Sequence, residues 1–170
     1  MTGSADDPLR NDPSSPPCSM HEADDVYMGF AGKDELVAAL NELLEAERAG
    51  ARVTLESACS AAGGPIAALM EMIEHDERRW CAMLLEHLKR LGAEPSPNVG
   101  AFHGKAMAIA DLPERVKFLN RGQGWVVRKL AALLPRVRDP HLQKDLRAML
   151  DAHEANIAHA EDVLRGVATG

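Results

Sequence analysis

Four side chains able to hold a cation, share a proton or form hydrogen bonds stand among apolar neighbours in this sequence. They are Glu47 in "LLEAERAG", Glu77 in "EHDERRW", Gln123 in "RGQGW" and His153 in "LDAHEAN". Turning about 100° per residue places each on the same helical stripe as nearby apolar side chains. Leu40 and Leu43 accompany Glu47, Ile73 and Leu84 accompany Glu77, Leu119 and Val127 accompany Gln123, and Leu146 and Leu150 accompany His153. Glu154 flanks His153. A carboxylate buried alone costs several kcal/mol, so two of them need compensation. That compensation is a metal ion, a shared proton, or a hydrogen-bonded network that includes His153 and Gln123. One inward polar residue per helix can also serve only to fix register. Four at matching depth put the structural network and the functional site on an equal footing. Trp80, three residues after Glu77, fills space and has an indole N–H within plausible reach of Glu47.

The elements that must position these groups follow from apolar periodicity. The first helix is expected from about Lys33 to Ala61, where "GGP" (Gly63, Gly64, Pro65) ends it and opens the next. The second runs from Pro65 to Leu91 and stops at Gly92. The third opens at "DLPE", with Asp111 as its cap, and reaches about Val137. The fourth runs from Pro140 to about Arg165. Between the second and third, "GAEPSPNVGAFHGKAMAIADLPE" has little sustained periodicity. Connections therefore read short, long, short: two helical hairpins joined by one long crossover, the ferritin-like variant of the four-helix bundle. The bundle domain is expected over residues 31–168.

Residues 1–30 form a separate region, with four prolines and six acidic residues against one arginine. This acidic tail is expected to be disordered. It has neither the basic start nor the apolar run of a signal peptide. The whole chain carries a net charge of −7, which argues against nucleic acid or an anionic membrane as partner. Its three cysteines, Cys18, Cys59 and Cys81, make no C-x-x-C pair, so neither a disulfide framework nor a zinc knuckle is indicated and a cytoplasmic setting is expected. No apolar stretch is long enough to cross a bilayer.

The stretches around Glu47, Glu77 and Glu154 resemble the ferritin-like superfamily, rubrerythrin-type bundles in particular. The text "GWVVRKLAALLPRVRDPHLQKDLRAMLDAHEANIAHAE" resembles an uncharacterised bacterial branch of it. The resemblance implies a di-iron site built from a Glu on helix one, Glu-x-x-His on helix two, a Glu on helix three and Glu-x-x-His on helix four. Glu47 and Glu77 match that pattern, and Glu154 can match. Trp80 stands where the first His belongs, Gln123 where the third-helix Glu belongs, and Ile157 where the second His belongs; His153 is a neighbour of the pattern, not an equivalent. Glu47, Glu77, His153 and Glu154 are thus the candidate metal ligands, for one Fe, Mn or Zn ion or none.

Residue counting favours a non-redox binding or interaction module with a central polar layer. The alternative is a rubrerythrin-like, metal-dependent oxidoreductase acting on O₂ or peroxide. Phe118 and Trp125, seven apart on helix three, need a cover. Either the crossover packs on them or a second copy of the chain does, and a homodimer is the favoured expectation.

Overall fold

The computed structural model describes residues 26–169, so the expectation for the acidic tail falls almost wholly outside the described residues, as does Cys18. Among the described residues the regular structure is helical throughout. α1 spans Lys33–Ser60, α2 Pro65–Arg90, α3 Phe102–Met107, α4 Leu112–Leu133 and α5 Pro140–Thr169; a 3₁₀ turn, Leu134–Arg136, follows α4. No helix among the described residues is long and apolar enough to cross a membrane.

Local chemistry explains where these helices stop and start. After α1, Ala62, Gly63 and Gly64 all take positive φ, a left-handed passage that glycine enters without the clash a side chain brings. Pro65 then opens α2 at a position where its missing N–H costs nothing. At the other end of α2, Gly92 adopts φ 64°. Its N–H donates to Lys89 O at 2.9 Å while Ala93 N–H reaches Leu88 O at 3.0 Å, the paired bonds of a Schellman stop. Asp111 caps α4 as expected, accepting the Glu114 N–H at 2.9 Å. Pro135 cannot continue the hydrogen-bond ladder, and α4 gives way to the 3₁₀ turn before the expected Val137. Asp139 caps α5 by accepting from the N–H groups of His141 and Leu142. The Leu142 N–H does most to hold its carboxyl below the usual range.

α1 packs along α2 and α4 along α5; α2 also meets α5, and α1 meets α4. The buried apolar side chains fall into two clusters. One gathers Leu40, Leu44, Trp80, Leu84, Val126, Leu130, Leu146 and Met149. The other gathers Val53, Leu69, Met70, Ile73, Val116, Leu119 and Ala160. In every long helix the polar residue lies between the two: Glu47, Glu77, Gln123 and His153 interrupt the apolar interior at one level. On α4 the stripe continues through Val126 rather than Val127, which is only half-buried.

The crossover departs from the expectation of an aperiodic link, because it contains α3. Its buried Ala106 and half-buried Phe102 pack on the second cluster. The rest is held by side chains reaching the backbone. Asn41 Oδ1 accepts the Ser96 N–H at 2.6 Å, Arg48 donates to Ser96 O, and Glu45 accepts the Ser96 hydroxyl. Further along, His103 Nε2 meets Glu56 Oε1 at 2.8 Å. The buried Arg115 donates twice to Ile109 O, at 2.9 and 2.7 Å, and once to Ser57 Oγ at 3.2 Å. Hydrogen bonds from a charged group contribute about 1.5–3 kcal/mol each when one partner is removed. Arg115→Met is therefore expected to lower the unfolding free energy by about 2–4 kcal/mol in urea titration. A loss below about 0.5 kcal/mol, the usual size for an unspecialised surface change, would show that Arg115 does not anchor the crossover.

Candidate metal centre

Glu47 and Glu77 come from the facing turns of α1 and α2, His153 from the middle of α5 and Gln123 from the middle of α4. Their exposures are 0%, 4%, 2% and 3%. One ligating atom each from Glu47, Glu77 and His153 fits within 4.8 Å of the others. His153 Nε2 lies 3.3 Å from Glu47 Oε1. Its other nitrogen, Nδ1, is 2.9 Å from Met149 O. A carbonyl only accepts, so Nδ1 carries the proton of that bond and fixes the ring with Nε2 turned toward the carboxyls. Neither oxygen of Glu47 has a hydrogen-bond donor among the described side chains.

The close approach of the two hairpin helices has a specific cause. A Cβ placed on Gly50 would stand 2.7 Å from Glu77 Cδ and from both of its oxygens. The Glu77 carboxyl therefore lies flat on the bare α1 backbone, one helical turn from Glu47. A mid-helix glycine costs about 1 kcal/mol relative to alanine, and that cost was the sequence signal that could have singled out Gly50. Asn156, also missed, sits one turn after His153 on the inward face and donates to Asp76 Oδ2 at 3.1 Å. A second polar residue three after His153 was its signal.

Other expected members fall elsewhere. Glu154 is exposed; one step along α5 rotates it away from the inward face that His153 occupies, so it is not part of the cluster. Trp80 is buried in the first apolar cluster, and its Nε1 has no partner. The expected bond to Glu47 is not made, and Trp80 acts by packing, with the Arg79 guanidinium 4.5 Å above its ring. Phe118 stacks on Phe102 of the crossover, centroids 4.8 Å apart, and Gly122 makes room for that ring, since a Cβ there would meet Phe102 at 2.7 Å. Trp125 remains 36% exposed. The two aromatics thus have different surroundings, and Trp125 shares a cavity with Gln123.

Burial drives the electrostatics. It pushes the Glu47 carboxyl up from an ordinary 4.5 to about 8, against the lowering effect of the neighbouring Glu77 carboxyl and with a smaller push from the Asp76 charge. Glu77 is raised well above its ordinary value, first by burial and then by repulsion from Glu47, while the His153 imidazole pulls the other way. The two carboxyls are best satisfied by holding a proton between them or by a cation. Half-buried Cys81, next to Trp80 in sequence, is pushed up to about 12 by burial and then by these same carboxylates, which keeps it a thiol rather than a nucleophile.

A cavity of about 550 Å³ leads to this cluster. Its inner lining includes Glu47, Gly50, Glu77, Gln123 and His153, and α1, α4 and the start of α3 supply its walls.

Comparison with known proteins agrees with this architecture. The chain matches a solved two-domain protein from Anabaena variabilis containing DJ-1/ThiJ/PfpI-like and ferritin-like domains, with TM-score 0.68 and 15% identity. The match covers 99% of this chain and 46% of that one, so this chain spans less than half of the other's length. At that identity the likeness shows the fold alone, which is ferritin-like and helical. The chain belongs to the family described as "Domain of unknown function (DUF6306)", which matches residues 34–162. None of the curated proteins matches it.

A carboxyl whose folded pKa exceeds its unfolded value adds stability below the unfolded value and loses that contribution as pH rises to the folded one. For Glu47 this window is about 4.5 to 8. The metal-free protein is therefore expected to lose several kcal/mol of stability between those limits. Urea titrations across that range check this. An equally steep loss in Glu47→Gln/Glu77→Gln would show that other groups cause it.

Proposed function

We propose that this chain is a helical-bundle binding module whose two hairpins hold one divalent metal ion between Glu47, Glu77 and His153. The observation that carries this reading is the orphaned Glu47 carboxylate facing an imidazole whose ring is already locked by its second nitrogen. A metal-ligating histidine commonly donates its other ring N–H to a backbone carbonyl, as His153 does to Met149 O. One His and two carboxylates supply the donor set of a facial triad and suit Fe(II), Mn(II) or Zn(II). An ion held there would offset the carboxylate charge and act as a Lewis acid. The chain's own part is to fix the ligands, through the Met149 carbonyl and the bare Gly50 backbone, and to flank them with the apolar clusters on either side.

The donor count separates this reading from the di-iron alternative. An indole at Trp80, an amide at Gln123 and an alkyl group at Ile157 occupy positions where the resemblance places His, Glu and His. Solvent access through the cavity is the one observation favouring a rubrerythrin-like oxidoreductase, since O₂ or peroxide could reach the cluster by that route.

Elemental analysis after growth with Fe, Mn and Zn is expected to find about one ion per chain, with a higher melting temperature than in the stripped protein. Glu47→Gln and His153→Phe should abolish retention. Gly50→Ala, which displaces the Glu77 carboxyl, should weaken binding by about 10–100-fold, the range seen when a supporting group is lost. Two irons per chain, both lost in Glu77→Ala, would replace this proposal with the redox one. No retained metal in a stably folded wild type would leave the carboxyl pair as a proton-sharing structural element.

A further inference from the structure

The cavity above the cluster has features that metal binding does not use. Gln123 is 97% buried and lines it, yet neither its amide nitrogen nor its amide oxygen has a partner among the described residues. Such an amide is costly to bury unless something supplies both an acceptor and a donor. The walls beside it are apolar and aromatic, with Phe102, Trp125 and Val126 among them.

The rim carries two cations that no acid engages among the described residues. Two acids and two arginines border the opening: Glu42, Glu45, Arg121 and Arg128. Both acids are engaged, Glu42 by Lys129 Nζ at 2.5 Å and Glu45 by the Ser96 hydroxyl. Arg121 lies over the Phe118 ring, 5.1 Å from its centroid. Among the described residues no acid pairs with Arg121. Arg128 Nη1 lies over Gly124, where an added Cβ would come within 3.5 Å of it, and among the described residues no acid pairs with it. Arg136, by contrast, grips Glu35. In a chain of net charge −7, two guanidinium groups with no acid partner among the described residues stand at the mouth of a cavity and form a local anion site.

We infer that this cavity binds a small organic carboxylate with an apolar body and a neutral amide-like group, its carboxylate at Arg121 and Arg128 and its amide on Gln123. Orientation follows from charge. The inner end already holds two buried carboxyls, so an anionic head there would add a third uncompensated acid, whereas the rim offers two cations in reach of water. The body lies between Phe102 and Trp125, and a secondary amide gives Gln123 one donor and one acceptor. This ligand neither needs nor displaces an ion at Glu47, Glu77 and His153, so it stands or falls separately from the metal reading.

Calorimetric titration of the full chain, with its metal content measured in parallel, tests the inference with three probes: N-octanoylglycine, octanoate, which lacks the amide, and N-octanoylglycinamide, which lacks the charge. N-octanoylglycine is expected to bind saturably and most tightly. Arg121→Gln/Arg128→Gln, both at exposed positions, should weaken it by about tenfold or more with metal content and helicity unchanged. Gln123→Leu should bring N-octanoylglycine down to the affinity of octanoate. The two arginines also border a neighbouring cavity of about 570 Å³ that Gln123 does not line. Binding that depends on the arginines but not on Gln123 would place the ligand there and overturn the inference. So would equal affinity for the uncharged probe, or no saturable binding of N-octanoylglycine by the folded wild type.

Discussion

Removing a carboxyl group from water costs several kcal/mol unless a proton, a cation or a set of donors replaces the lost hydration. Here two such groups, Glu47 and Glu77, are pressed together between apolar clusters with almost no exposure. The surrounding structure is arranged around that constraint. α1 and α2 approach closely because Gly50 has no side chain to separate them. His153 is turned toward the pair because its far nitrogen is tied to its own helix. Removal of either arrangement would leave two acids in a dry interior with nothing facing them.

The same constraint divides the molecule along its length. Leucine, methionine and valine fill the space on each side of the polar level, and their non-directional packing sets helix spacing without specifying which residues share a level. The polar level supplies that specification: a one-residue slip of any helix would carry its polar side chain about 100° off the inward face. A crossover pinned to α1 by Asn41, Glu45, Arg48 and Glu56 then covers one side of the bundle while leaving a passage to its centre. Access and burial coexist because Phe102 of the crossover stacks on Phe118 while Trp125 stays partly exposed at the cavity.

Most of the helical framework was legible in the sequence. Apolar periodicity located four helices and their ends to within a few residues, because glycine, proline and capping aspartates act locally. Glu47, Glu77, Gln123 and His153 were legible for the same reason: a polar residue on an apolar stripe faces inward whatever the partner helix. The short helix α3 was not, because Phe102–Met107 is too brief to show a period and is held by contacts with α1 and α4. Glu154 was misplaced because resemblance to a motif outweighed its direction on the helix.

The sequence by itself determined which side chains face inward and how deep along each helix they lie, since both depend only on rise and rotation per residue. Tertiary structure alone decided that Glu47 meets His153 while Trp80 does not reach Glu47, that Gly50 receives the Glu77 carboxyl, and that a cavity bordered by Arg121 and Arg128 leads to the cluster. Those outcomes depend on distances between helices remote in the chain, and such distances are set by how whole surfaces pack.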